Sequence, residues 1–397
     1  MRRDCLCLLA AALTLTAGCG SDPEAPVTRP FVESDWYSPD PGETVRFVDT
    51  LSALATLDVP MGVGRSSLLK LGEVERVRYS AVLMEFDFDS IGNYAGRTVD
   101  SVLIDLPVVT VQDTLFHLGI TFNELLEGFE EDDTITAVPA FDPVPLPGPS
   151  GETERDINIE RTAFALATGP VQGWIDGSSD PWPYGIAVNW SREPDTLGLI
   201  EMNAQDRGTD PPVLRVRFDD GTEAVFPVIS DYSITSYTGD GPAVVGGVAR
   251  RVFFEFGLEG VPDEAMLHYS ALVVSVDASE SFGATVGELL LGVSNEFFYY
   301  LYSPDSADPG SSGILEGTGV ATGSFSPAVD STIRIPLRQY MVDVLSGRRA
   351  NTGLVLQSDL EAVRVQKAGL FSVSAGDSLR PYVEIVYSLP ADFGGER

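Results

Sequence analysis

The chain has 397 residues, 44% hydrophobic, 21% charged and 9% aromatic. That is globular composition, and it excludes a disordered chain, a collagen and a multispanning membrane protein. Lys and Arg number 25 against 59 Asp and Glu, a formal charge of −34, so phosphate backbones are repelled and nucleic acid is excluded as a partner.

The N-terminus reads as an export signal. Arg2 and Arg3 precede an apolar run from Cys5 to Leu15, and the small residues Ala17 and Gly18 stand before Cys19, the order of features in a secretory signal. The run is too short to cross a bilayer. Small residues directly before a cysteine resemble the lipobox of bacterial lipoproteins. That resemblance implies cleavage before Cys19 and diacylglycerol on its thiol, with the membrane as a partner; a plain secretory signal is the alternative. Residues 1–18 are then the signal peptide and 19–44 a flexible, proline-rich tether. Gly20 follows Cys19, where an aspartate retains some lipoproteins in the inner membrane, so the family rule favours the outer membrane of a bacterial cell envelope. Cys5, Cys7 and Cys19 are the only cysteines. The body of the protein has no disulfide or thiolate metal site and must stand on its apolar core.

Beyond the tether the chain repeats itself. The stretch from Ser80 to Phe88 recurs from Arg250 to Leu258 at an offset of 170. Val82, Met84, Phe86 and Phe88 alternate along one face, matched by Val252, Phe254, Phe256 and Leu258, which predicts a core-facing strand in each copy, with Glu85 or Glu255 turned away. Ser101-Val102-Leu103 corresponds to Ser270-Ala271-Leu272, Trp174-Ile175-Asp176-Gly177 to Val344-Leu345-Ser346-Gly347, and Tyr184-Gly185-Ile186 to Thr352-Gly353-Leu354. Pro212–Phe218 then matches Pro381–Tyr387, all in the same order. Leu337, Tyr340, Met341, Val344 and Leu345 lie at helical spacing, and Gly347 can close that helix.

Many short alternating runs bounded by Gly, Pro, Asn and Asp predict an all-β chain of two tandem antiparallel β-sandwich domains, jelly-roll-like, each with one short helix. The domains are expected at 45–221 and 222–389, with an acidic and proline-rich insertion near 124–156 in the first and a tail at 390–397.

In order, these signals are an apolar strand ending in Phe86-Asp87-Phe88-Asp89, a small-residue turn, Ser-Val-Leu or Ser-Ala-Leu, a helix with Trp174 and Gly177, a Gly-Ile or Gly-Leu strand, and a closing Arg380-Pro381-Tyr382-Val383-Glu384-Ile385-Val386-Tyr387. This resembles the DNRLRE-type domain, related to carbohydrate-binding β-sandwich modules of secreted bacterial proteins, over most of both copies. The eponymous string is absent. The resemblance implies an extracytoplasmic β-sandwich that in some relatives binds acidic polysaccharide.

Catalytic parts are scarce. His117 and His268 are the only histidines and occupy non-equivalent places in the two copies, so a Ser/His or Cys/His arrangement lacks its components, and no Gly-x-Ser-x-Gly elbow occurs. No enzymatic activity is expected. Carboxylates abound, which makes Ca2+ a more suitable cofactor than a transition metal. Its candidate ligands are Glu130, Asp132 and Asp133, with Asp219 and Asp220 as a second set, although solvated acidic loops explain both. Trp174, Trp182 and Trp190 fall close together with Tyr184. Trp174 and Trp190 are expected in the core, while Trp182, flanked by Pro181 and Pro183, and Tyr184 are the candidate ligand surface, since aromatic side chains on a loop offer a face to sugar rings. The second copy has no matching aromatics, so such a site is single. The run from Phe297 to Tyr302 reads as a buried strand or an inter-domain contact.

The expected function is therefore a non-enzymatic, lipid-anchored surface protein whose tandem sandwiches bind polysaccharide, a neutral one more easily than an acidic one. The alternative is a structural or adhesive protein that contacts another surface protein and has no glycan ligand.

Overall fold

The computed structural model describes residues 44–58, 66–112, 119–130, 139–142, 144–146, 162–178, 184–191, 198–205, 208, 210–263, 265–361 and 364–389. In chain order its elements begin with β1 (Thr44–Thr50), β2 (Ala53–Asp58), β3 (Leu68–Val74), β4 (Val77–Phe86), β5 (Val99–Leu106), β6 (Val108–Gln112), β7 (Gly119–Leu125), β8 (Thr162–Leu166), α1 (Thr168–Ile175), β9 (Gly185–Ser191), β10 (Gly198–Asn203) and β11 (Val213–Phe218). They continue with β12 (Glu223–Tyr237), β13 (Ala243–Val245), β14 (Arg250–Glu255), β15 (Met266–Phe282), α2 (Val286–Leu290), β16 (Phe297–Pro304), β17 (Gly317–Phe325), β18 (Thr332–Pro336), α3 (Arg338–Leu345), β19 (Leu354–Ser358), β20 (Lys367–Leu370) and β21 (Tyr382–Ser388).

The fold is all-β and antiparallel throughout its ladders, arranged as two sandwiches. In the first, one layer runs β8-β5-β11 and ends on the start of β12, while the other has β4 between the end of β12 on one side and β3 and β9 on the other. β3 leads on to β10 and β6, and β9 to β7. The second sandwich repeats the plan: β18, the first half of β15, β21 and β1 form one layer, and β14 lies between β2 and the pair β13 and β19 in the other. α1 and α3 are the two predicted helices, each followed by a glycine in left-handed backbone, Gly177 (φ +64°) and Gly347 (φ +68°). α2 is a third short helix that only the second half possesses among the described residues, opened by a reciprocal cap between Thr285 and Glu288.

The predicted alternation sets the cores. Val82, Met84 and Phe86 join Val102, Ile104, Leu214 and Val216 between the layers of the first sandwich, and Val252, Phe254 and Phe256 join Leu272, Val274, Val383 and Ile385 in the second. The opposite face of β4 and β14 is covered too, against expectation. Leu83 lies under Phe129 and Tyr232, and Phe253 packs with Tyr302 and Ile314. Equivalent glycines mark where β9 and β19 press on these strands: a Cβ at Gly185 would lie 2.1 Å from the Met84 carbonyl oxygen, and one at Gly353 2.7 Å from that of Phe254.

Two stretches cross the expected division at 221/222. β12, which opens the second copy, completes the first sandwich, while β1 and β2, which open the first copy, complete the second. The exchange is in register. Val48 stands opposite Glu384 as Val225 stands opposite Arg215, and Thr56 opposite Val252 as Ser233 opposite Val82. Each repeat thus donates its opening strands to the other, so both cores depend on both halves of the sequence.

The sandwiches meet through the outer faces of β3, β4 and β10 and the segment around β13, with Tyr79, Leu199, Val245 and Val365 buried between them. Both lysines of the chain lie in this interface. Lys70 is 2% exposed and pairs with Glu288 at 2.6 Å; Lys367, fully buried, donates to Glu280 (2.8 Å) and to the Glu75 carbonyl (3.0 Å). Glu201, also fully buried, accepts from Thr285 Oγ1 and from the Gly287 amide at the start of α2. Burial raises the Glu201 carboxyl above its ordinary value, beyond what Lys70 and these donors offset. Burial also acts to raise Glu288, but there Lys70, the Thr285 amide and Arg364 prevail and hold the carboxyl low.

Candidate functional site

At the end of β4 the chain turns through Asp87–Ser90 into a single 3-10 turn, Ile91–Tyr94. Phe86 and Phe88 point inward, Phe88 with its ring 5.7 Å from Trp174 and 5.4 Å from Phe226. The alternation that buries them directs Glu85, Asp87 and Asp89 outward. The turn is fixed by its own backbone: the Asp89 amide donates to Asp87 Oδ1 (3.1 Å) and the Asp87 amide to the Pro227 carbonyl (2.9 Å).

Tyr184 faces this turn across the sheet. Gly185 (φ +149°) lets β9 lie against the Met84 carbonyl where a side chain would collide, and the residue before it is carried to the rim. There Tyr184 is 42% exposed, its ring lying over Gly128. Ile229, on β12, is 49% exposed beside it. Together with the outward carboxylates these residues form an open cleft of about 780 Å³ floored by Phe86 and Phe88. An aromatic ring and an aliphatic side chain offer apolar surface, and the carboxylates accept hydrogen bonds from hydroxyls. The set suits a neutral, hydroxyl-rich ligand with one apolar face, and its charge repels anions.

The second sandwich lacks this site. Gly257, Leu258 and Glu259 replace Asp87, Phe88 and Asp89, and Thr352 stands where Tyr184 does. Thr352 Oγ1 donates to the Pro304 carbonyl (2.6 Å) and meets Ser303 Oγ at 2.9 Å, while Asn351 donates to the Phe256 carbonyl (2.8 Å).

Of the predicted ligand surface, Tyr184 is in the cleft, and Trp182 lies outside the described residues. Trp174 and Trp190 are buried. Trp174 Nε1 donates to Glu124 at 3.0 Å, and burial still raises that carboxyl, with Asp142 adding to the effect. Of the calcium candidates, Glu130 is exposed, and Asp132 and Asp133 lie outside the described residues, as do Cys19 and His117. Asp220 is engaged by Arg97 at 2.9 Å. Among the described residues no group of three His, Cys, Asp or Glu side chains is placed to hold a metal ion, and no helix is long and apolar enough to cross a membrane. His268 Nε2 lies 2.8 Å from Ser388 Oγ, on the second sandwich. The run from Phe297 to Tyr302 is β16, with Phe297, Tyr299, Leu301 and Tyr302 buried.

Glu85, Asp87, Asp89 and Ile229 are site residues that sequence reasoning missed. The Phe-Asp-Phe-Asp string carries a signal for the aspartates, a core strand running into an acidic turn; nothing in the sequence singles out Ile229. No family model matches the chain, and no curated protein matches it.

Proposed function

We propose that the chain is a non-enzymatic, lipid-anchored protein of the bacterial cell envelope, held in the outer membrane through Cys19, whose first sandwich binds neutral polysaccharide in the cleft between Tyr184 and the Asp87–Asp89 turn. The observation that carries this reading is the pairing of an exposed tyrosine and isoleucine with three outward carboxylates in one open cleft. The likeness to DNRLRE-type, carbohydrate-binding sandwiches supports the ligand class. The acidic rim departs from the acidic polysaccharide that some of those relatives bind and favours a neutral chain.

Native affinity electrophoresis tests the reading directly. The protein is run through gels containing neutral or acidic polysaccharides, with and without calcium. Retardation by a neutral polysaccharide, lost in Tyr184→Ala with Tm unchanged, is expected. That substitution should weaken binding at least about tenfold, roughly 1.4 kcal/mol. Free migration in every gel, or retardation that Tyr184→Ala leaves intact, contradicts it. Calcium-dependent retardation by an acidic glycan would move the binding role from the cleft to the acidic loops.

A further inference from the structure

The ring of Tyr184 stands at the rim of the cleft, 42% exposed. Its backbone is held, since the Tyr184 amide donates to the Leu125 carbonyl at the end of β7 (3.4 Å), but a half-exposed side chain samples several rotamers unless something packs against it. That bears on affinity, because a mobile side chain that is ordered on binding costs free energy that a pre-set one does not. What packs against this ring is the backbone of Gly128. A Cβ built there would lie 3.1 Å from Tyr184 Cδ1 and 3.5 Å from Cε1. The first distance is closer than two carbons in ordinary contact, so the ring reaches this place because residue 128 has no side chain. The backbone itself does not demand glycine, for the φ of Gly128 lies outside the left-handed region.

Gly128 is fixed in its turn. The Leu126 amide donates to the Ala140 carbonyl (2.8 Å), and Phe129 is buried with Leu83 and Tyr232, its ring 6.5 Å from that of Tyr232. The glycine is therefore spanned by two anchored residues, and its peptide is held against the tyrosine. It does not line the cleft, whereas Tyr184, Ile229 and the Asp87–Asp89 turn do. A ligand there meets the ring and not the glycine.

We propose that Gly128 is a positioning residue for the cleft: by leaving room for the Tyr184 ring against its peptide, it pre-sets the pose in which that ring meets a polysaccharide. The inference rests on the reading of the cleft as the glycan site. A methyl group at position 128 makes the ring give way by a few tenths of an ångström, and a branched side chain turns it off the backbone into another rotamer. Either change reaches the ligand only through Tyr184.

The test uses the full chain labelled with 3-fluorotyrosine, in gels of a neutral polysaccharide that retards the parent and in fluorine NMR. Gly128→Val should weaken binding between about threefold and tenfold, the range for one side chain that must be ordered on binding, with Tm unchanged. The fluorine resonance assigned to Tyr184 through Tyr184→Phe should move in Gly128→Val, while that of Tyr232, which packs on Phe129, should stay. Gly128→Ala should show the same pattern at smaller size, and it decides the matter if Gly128→Val fails to fold. Parental affinity in Gly128→Val, an unmoved Tyr184 resonance, or movement of both resonances, which would mean that the whole segment has shifted, would each overturn the assignment. A parent that no neutral polysaccharide retards overturns the reading of the cleft and this role with it, and is told apart from loss of this role alone, in which parent and Gly128→Val are retarded equally.

Discussion

The turn after β4 is Asp87-Phe88-Asp89 in the first sandwich, and its counterpart in the second is Gly257-Leu258-Glu259; across the sheet stands Tyr184 in one and Thr352 in the other. The strands that carry these residues are paired alike, and equivalent glycines seat both β9 and β19 on the neighbouring strand. The framework is therefore common and the rim is not. In the second sandwich the position of the tyrosine is taken by a threonine whose hydroxyl bonds to the backbone, which turns an exposed rim position into a structural one. The outer edges differ too, with prolines beside β7 and, at β17, a bulge and the Arg349 guanidinium on the Thr318 carbonyl. One sandwich keeps a concave face where the other fills it.

The largest effects should come from the exchanged strands, because there the comparison predicts damage in the half that does not contain the substitution. Leu51 is buried in the second core and its counterpart Val228 in the first. A charge at either place has no partner, and the loss should exceed about 4 kcal/mol. Hydrogen exchange should show Leu51→Asp opening β14 and β21 first, and Val228→Asp opening β4 and β11 first. If each variant opened its own repeat, the exchange of strands would be wrong.

Next in size are the paired glycines. Gly185→Ala drives a Cβ into the Met84 carbonyl at a backbone angle that L residues avoid, and should cost more than about 2 kcal/mol. Gly353→Ala meets the Phe253 ring and the Phe254 carbonyl less closely and should cost less. Urea midpoints compare the two, and equal losses would mean the two strand contacts are equally tight.

A smaller effect belongs to the interface between the sandwiches. Glu201 has a carboxyl raised above its ordinary 4.5, so its ionisation weakens the fold at neutral pH, and the penalty disappears as pH falls through the raised value. Glu201→Gln imitates the protonated form. The stability of this variant relative to the parent should therefore be most favourable at pH 7 and should decline as the pH is lowered towards 4.5, as followed by urea midpoints. Glu288 has the opposite sign: its low carboxyl contributes stability above 4.5 that is lost on further acidification. A difference between Glu201→Gln and the parent that does not vary with pH would contradict the assignment.

The smallest change in stability is expected at the rim. Tyr184→Thr installs the residue of the second sandwich and should move stability by less than about 0.5 kcal/mol, as for other exposed positions, while abolishing retardation by polysaccharide.

The alternation at Val82–Phe88 and Val252–Leu258 made the two cores legible in the sequence, and the helical spacing before Gly347 located α3. Both are local periodicities, and each tells which face of an element is buried. Neither tells which strand lies alongside, so the exchange of β1 and β2 with β12 was hidden: Phe47 and Ala224 alternate equally well in either sandwich. Lys70 and Glu288 are 218 residues apart, and no spacing rule joins them. Tyr184 could be picked out as an aromatic before a glycine in a loop, but its partners Glu85, Asp87 and Asp89 become a site only through the pairing of β4 with β9.

Hydrogen exchange with and without a neutral polysaccharide that retards the protein locates the bound glycan. Protection is predicted at residues 85–92 and 184–186, with the counterparts 255–262 and 352–354 unchanged. Protection confined to the second sandwich, or none at the turn after β4, would contradict the assignment of glycan binding to this cleft.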